Sequence, residues 1–306
     1  MRQAFDFLLP DLTKSCNLFI FISMRLPDWI RTQCRADRHE TKLILRKHGI
    51  TTVCEEARCP NSWECFSKPT ATFLILGPNC TRNCGFCSVS SSVPGPPDEN
   101  EPDNVGRAAE EIGLKYVVIT SVTRDDLPDG GAGHFARTIS AVRRRLPAVR
   151  IEVLTPDFQG DFGALRTVLD AGPDVFNHNV ETVERLYPIV RPQAVFRRSL
   201  SVLKHAKTTA PDTITKSGFM LGLGESQTEV LELLRELRAA GCDVVTIGQY
   251  LRPTRNNLPV VEYIHPDFFE YLRLKALEMG FSYVASGPLV RSSMNAAEMF
   301  GPAPGL

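Results

Sequence analysis

At 306 residues the chain can bury a sizeable core, as one large domain with appendages or as two domains. Lysine plus arginine and aspartate plus glutamate both number 35, so the net charge is zero, and nothing in that balance points to nucleic acid or a membrane surface as the main partner. Nine cysteines, six of them between Cys54 and Cys87, do not make a secreted disulfide framework; the clustering points to metal in a reducing compartment.

In chain order, Asn17-Leu-Phe-Ile-Phe-Ile-Ser-Met24 is apolar but far short of the ~20 residues a membrane span needs. Acidic Asp6 and Asp11 precede it and no small-residue cleavage site follows, which argues against a signal peptide. Residues 1–26 therefore read as a tail, disordered or lying ahead of an internal start at Met24, and the protein reads as cytoplasmic. Pro27-Asp-Trp-Ile-Arg31 reads as an extended anchor with Trp29 available to pack on the main body. Residues 40–48 predict a short helix stopped by Gly49. Next comes Cys54-Glu-Glu-Ala-Arg-Cys59-Pro-Asn-Ser-Trp-Glu-Cys65, with spacing C-x4-C-x5-C. Pro60 and Asn61 predict an irregular loop suited to wrapping a metal centre, within an N-terminal extension over residues 27–70.

From residue 71 short apolar runs alternate with helical stretches. The runs are residues 72–76, 116–120, 150–154, 175–177, 217–221 and 244–248; helical spacing covers 105–113, 132–146, 163–171, 194–207 and 227–241. Near-continuous hydrophobic strands alternating with helices imply parallel strands covered by helices. Six such units predict an α/β fold, an incomplete (βα)6 TIM-type barrel over residues 71–285, with a doubly wound sheet as the alternative. Residues 286–306 are expected to form a C-terminal closing segment. Unusual polar sequence follows each run, including Ser121-Val-Thr-Arg-Asp-Asp126, Thr155-Pro-Asp157 and Gln249-Tyr-Leu-Arg-Pro253. Barrel enzymes place their chemistry on the loops at the C-terminal strand ends, so these loops are expected to converge on one mouth.

The first loop is Cys80-Thr-Arg-Asn-Cys84-Gly-Phe-Cys87. A structural zinc site wants four ligands, usually as two separated pairs. Three thiolates at C-x3-C-x2-C fit a [4Fe–4S] cluster with one iron left without a protein ligand. The spacing differs from the common ferredoxin run. With an aromatic before the last cysteine, it resembles the radical S-adenosylmethionine (radical SAM) enzymes. The second triplet lacks a fourth ligand, and Arg291-Ser292-Ser293 stands far downstream. A serine oxygen is a harder ligand than thiolate and should be more easily given up, although two serines can equally just cap backbone.

Both triplets together with Arg291-Ser-Ser293 resemble the lipoyl synthase family. Residues 121–126 continuing through 129–135, 177–182, 222–225 and 246–251 also match it, and the similarity spans residues 27–299. The resemblance implies that Cys80, Cys84 and Cys87 hold the [4Fe–4S] cluster that binds SAM. It further implies that Cys54, Cys59, Cys65 and Ser293 hold a second [4Fe–4S] cluster that supplies sulfur. Met294 stands where the family usually has tyrosine, which leaves the packing around the serine in doubt. The implied reaction inserts two sulfur atoms into an octanoyl chain on a lysine of a lipoyl-carrier domain, using 5′-deoxyadenosyl radicals from SAM. Implied partners are carrier domains of 2-oxoacid dehydrogenase E2 and the glycine cleavage H protein, an electron donor such as ferredoxin or flavodoxin, and an iron–sulfur assembly carrier. By analogy with radical SAM barrels, Gly222, Gly224 and Glu225 are expected to touch SAM, unless this is a Gly-rich turn capping the next helix. Asn177, Asn179 and Glu181 are candidates for SAM or substrate contacts. His178 and His134 are expected to pack, Cys242 to be buried as a small hydrophobe, and Arg143-Arg-Arg145 and Arg197-Arg198 to form solvated helix faces. Arg191 and Arg252 either orient carboxylates or lie on the surface. Alternative readings are another sulfur-inserting radical SAM enzyme, such as one resembling biotin synthase, and a non-catalytic iron–sulfur or zinc-binding module.

Overall fold

A computed structural model describes residues 26–30, 39–59, 61, 72–293 and 296–300 of the chain. Cys65, Met294, Cys16 and Cys34 lie outside the described residues, as do the tail before residue 26 and the segments 62–71 and 301–306.

Asp28–Ile30 forms a 3-10 turn rather than the extended anchor expected. Ile30 is the buried anchor, whereas Trp29 stays largely exposed and meets His265 edge-on. Helix α1 (His39–Lys47) ends at Gly49, whose φ of 66° suits a residue without Cβ. It leads into β1 (Thr51–Thr52) and a one-turn helix α2 (Val53–Glu56), so Cys54 sits on a helix and not in the irregular loop expected.

The barrel strands are β2 (Thr72–Ile75), β5 (Tyr116–Ser121), β6 (Arg150–Leu154), β7 (Val175–Asn177), β8 (Ile214–Leu221), β9 (Val244–Gln249) and β10 (Tyr283–Gly287). A small pair, β3 (Asn79–Cys80) and β4 (Ser90–Ser91), brackets the cysteine loop. The main sheet runs β1-β2-β5-β6-β7-β8-β9-β10, with every barrel neighbour parallel and β1 antiparallel on β2. Its two ends do not pair among the described residues, so the barrel is open. The covering helices are α3 (Glu101–Ile112), α4 (Ala132–Arg145), α5 (Phe162–Asp170), α7 (Phe196–Thr209), α8 (Gln227–Ala239) and α9 (Pro266–Glu278), with a short α6 (Tyr187–Val190) before α7.

Six βα units are present, as expected, and β10 follows as a seventh parallel strand that the sequence did not announce. Tyr283-Val-Ala-Ser-Gly carries little apolar bulk, and only Val284 in it is buried. The expected boundary at residue 285 thus falls inside a strand. Outward-facing strand residues meet the helices in two apolar cores. One, around Phe73, Ile119, Phe135 and Val153, lies under α3 to α5; the other, around Phe219, Leu234, Ile247 and Phe269, lies under α7 to α9. Local signals agree with the elements. Asp161 caps α5, and Ser226 with Glu229 forms a capping box on α8. Among the described residues no helix is long and apolar enough to cross a membrane.

Candidate active site

The Cys80–Cys87 loop leaves β3 and is braced from three sides. Arg82, inside the motif, is buried; it donates to Asp125 at 2.7 and 2.9 Å and to Asp157 at 2.6 Å. Those carboxylates come from the loops after β5 and β6, so two expected site loops hold the cysteine loop. Burial would raise the Asp157 carboxyl, but the Arg82 guanidinium outweighs it and brings it down to about 2. The Thr123 amide donates to Cys80 Sγ at 3.3 Å, and Thr81 Oγ1 donates to the Thr123 carbonyl. On the other side Asn257 Nδ2 donates to the Cys87 carbonyl at 2.7 Å, while Leu258 N reaches Gly85 O and Gly85 N reaches Val190 O, each at 2.9 Å. A Cβ on Gly85 would stand 2.8 Å from the Leu258 side chain and 3.2 Å from the Ile189 carbonyl, so any larger residue would push Leu258 aside.

Burial pushes the Cys84 thiol up, and burial with the charges of Cys84 and Cys80 pushes Cys87 up to about 12. Each sulfur feels the others, yet the described residues include no group of three such side chains placed to share one ion. Thiols such as Cys84 and Cys87, held protonated by burial, would become thiolates on binding a multi-iron body, whose positive charge favours the ionised form.

Beside the loop lie the candidates after β7 and β8. Asn177 is buried and donates to Glu152 at 2.9 Å, pointing into the barrel. Asn179 donates to Glu181, a partly buried residue at a left-handed φ of 67°. Burial raises the Glu181 carboxyl, against the pull of Arg191 and Asn179. Arg191 is buried, not superficial; it donates to the Asn179 and Val180 carbonyls at 3.0 and 3.3 Å. Arg191 Nε, Asn179 Oδ1, Asn177 Oδ1, Ser217 Oγ and Ser121 Oγ are buried without a partner. Those of Asn177, Asn179 and Arg191, which follow or end β7, suit a polar ligand that would satisfy them. In the loop after β8 a Cβ on Gly222 would collide with Gln249 Nε2 and the Glu262 carbonyl, and its φ is 98°. Gly224, at φ 106°, is exposed and open. Glu225 differs from expectation: its carboxylate accepts from the Gly222 and Leu223 amides of its own loop. The other oxygen lone pairs remain for a ligand. Arg252 is likewise used locally, on the Asn257 and Arg255 carbonyls.

The second cysteine loop abuts the first. Ser88 Oγ donates to the Glu56 carbonyl at 2.6 Å, and the Cys59 amide reaches the Cys54 carbonyl. The C-terminal segment comes to the same place: Asn61 Nδ2 donates to Leu289 O at 2.6 Å across 228 positions, and Arg291 lies close enough to Cys59 to feel its charge. Cys54, Cys59 and the Arg-Ser-Ser motif are thereby gathered, with Ser293 partly buried. The remaining expectations resolve as packing. His178 bonds Thr155 O and Ser199 Oγ, and burial, aided by Arg191, pulls it down to about 4. His134 meets Glu101 at 2.7 Å, and Cys242 is fully buried. Arg143, Arg145, Arg197 and Arg198 are each engaged in ion pairs.

The radical SAM superfamily model matches residues 74–237. Lipoyl synthase of Alkaliphilus metalliredigens is 52% identical over 276 residues, covering 90% of this chain and 95% of that protein. Lipoyl synthase of Caldicellulosiruptor bescii is 54% identical, covering 88% and 94%. Among solved structures, Streptococcus suis SuiB bound to S-adenosylmethionine superposes with a TM-score of 0.56 at 13% identity, over 74% of this chain and 54% of that one. Methylornithine synthase superposes at 0.50 and 15%, over 69% and 70%. These two show a shared fold.

Proposed function

The chain belongs to the lipoyl synthase family of the radical SAM superfamily, and from that premise we propose how its residues divide the work. It is a radical SAM sulfurtransferase whose cofactors are SAM and [4Fe–4S] clusters, acting on lipoyl-carrier proteins. Cys80, Cys84 and Cys87 hold the SAM-binding cluster; Cys54, Cys59, Cys65 and Ser293 hold the cluster that donates sulfur. When bound, the first with SAM supplies the radical that removes hydrogen from an unactivated C–H bond, and the second supplies two sulfur atoms.

Such C–H bonds have no acidity for a base to exploit, so this chain's own residues position and desolvate. Gly224 admits a ligand to the backbone, Gly222 lets Gln249 and the Glu262 carbonyl close on the loop and so shapes the SAM site, and Glu225 braces that loop and accepts from SAM. Asn179, Glu181 and Asn177 line the mouth beside it, and Arg191 holds the backbone that presents Asn179. The carriers served are 2-oxoacid dehydrogenase E2 and glycine cleavage H domains. Ferredoxin or flavodoxin supplies electrons, an iron–sulfur carrier rebuilds the spent cluster, and the setting is the cytoplasm.

The supporting observation is the bond from Asn61, just past Cys59, to Leu289, just before Arg291, beside the first cysteine loop. A SAM-cleaving barrel alone needs no such gathering. The test is anaerobic incubation of iron-loaded, reduced protein with SAM and an octanoyl-lysine peptide, read by mass. A dithiolated peptide is expected. Release of 5′-deoxyadenosine without any thiolated peptide would sink the proposal and favour another radical SAM reaction.

A further inference from the structure

The barrel interior holds a charge pair that the chemistry at the mouth does not call for. Alternation along β6 and β8 turns Glu152 and Lys216 inward, and both are fully buried. Glu152 accepts from Tyr116 Oη at 2.6 Å, from Asn177 Nδ2 at 2.9 Å and from Lys216 Nζ at 2.9 and 3.0 Å. The ammonium's further contact is the backbone carbonyl of Ser292, at 2.5 Å. No donor of that ammonium is left over.

Stability does not explain the pair. Val118, Val175 and Val244 point into the same interior, so apolar filling is available there. Exchanging a buried ion pair for apolar side chains of similar volume is often neutral or stabilising. The best attested use of a buried polar group is to fix register, and the register at stake is that of the C-terminal segment. That segment lies along the end of β9, where a Cβ on Gly248 would collide with the Val290 carbonyl. Its lower part returns to the N-terminal ends of the strands. There Met299 packs on Tyr116 and Val118, Phe300 meets Tyr116 at 6.1 Å, and Tyr283 Oη donates to Glu298. Between the pin at Leu289 and the one at residues 298–300 stands Ser292, held from below by Lys216.

We infer that Lys216 is a positioning residue, its Glu152-held ammonium fixing the Ser292 carbonyl and thereby the direction in which Ser293 is presented to the sulfur-donor cluster. This rests on the reading of Ser293 as a ligand, and so deepens it.

The test uses the full chain with both substitutions Lys216→Met and Glu152→Gln, which avoids leaving an unpaired buried charge. Amide hydrogen exchange over residues 289–293 is expected to rise by about ten-fold or more. 5′-Deoxyadenosine release from SAM should stay within about two-fold of the parent, because the amide oxygen left by Glu152→Gln can still accept from Asn177 Nδ2, while thiolated peptide falls by about ten-fold or more as the serine side is loosened. Should the double variant lose cooperative unfolding, Lys216→Arg keeps the charge but not the compact three-donor geometry, and the same exchange increase is expected. Unchanged protection at residues 289–293 in a folded variant overturns the inference, whatever product forms. Failure of the family reading would instead appear in the unsubstituted protein, as absence of thiolated peptide.

Discussion

The two cysteine loops touch through Ser88 and Glu56, yet they are held by different means. The Cys80–Cys87 loop is clamped within the barrel, by buried Arg82 on two carboxylates and by the loop that carries Asn257 and Leu258. The Cys54–Cys59 loop rests on a one-turn helix and is joined to the far end of the chain through Asn61, Leu289 and Arg291. A centre that must return unchanged each turnover benefits from rigid seating, since preorganised geometry is where binding energy is best used. The proposed sulfur donor would be consumed, and a seat shared between segments 228 positions apart is suited to opening.

The sharpest way to break this contrast is to remove one ligand from each loop. Cys84→Ala is expected to abolish 5′-deoxyadenosine release and thiolation alike. Cys54→Ala should abolish thiolation while SAM cleavage continues, as chromatography of the nucleoside would show. Loss of cleavage in both would mean the loops do not act separately. Next in size, Asp157→Ala leaves buried Arg82 with one carboxylate fewer and should cost about 3–5 kcal/mol in urea unfolding. An equal loss from disturbing the tail contacts would erase the contrast.

Protonation offers a third probe on the barrel side. His178 ionises near 6.5 when unfolded and at about 4 when folded, because burial disfavours the imidazolium. The unfolded chain therefore binds the proton first. The stabilisation is fully present above pH 6.5 and is lost as pH falls towards 4, by about 3 kcal/mol over that window. Urea midpoints should follow this slope, and His178→Gln should flatten it. A smaller effect is expected of Gly85→Ala: its new methyl meets Leu258 and the Ile189 carbonyl, costing about 1–3 kcal/mol and slowing SAM cleavage. Smallest is Asn61→Ala, about 1 kcal/mol, visible as faster exchange near residue 289 with SAM cleavage intact.

Much of this architecture was legible in the residues themselves. Strands such as Tyr116–Ser121 carry a run of β-branched residues, Val117 to Thr120, so their parallel, buried setting follows from composition. The Cys80–Cys87 triplet carries its chemistry in its spacing, whereas the role of the other came from the family resemblance. What escaped was set by partners remote in sequence. Arg82 stands inside a recognised motif, but its carboxylates lie 43 and 75 positions away. Strand β10 is short and rich in small residues, and Glu225 turned out to have backbone amides within reach. Glu152 and Lys216 did leave a readable mark, as charges within strands that are otherwise buried. Their meaning needed Ser292 beside them.

The bond from Asn61 to Leu289 spans 228 positions, and Met299 packs on Tyr116. On the ribosome, residues 289–300 emerge after everything they touch. The nascent barrel must therefore wait with Lys216 and Glu152 facing an interior that water can still enter. The contact of the Cys54–Cys59 side with residues 289–291 cannot form until those residues have emerged, whereas Cys80, Cys84, Cys87 and their Asp125 and Asp157 clamps are all made well before. The two loops are thus completed in an order set by where their partners stand in the chain.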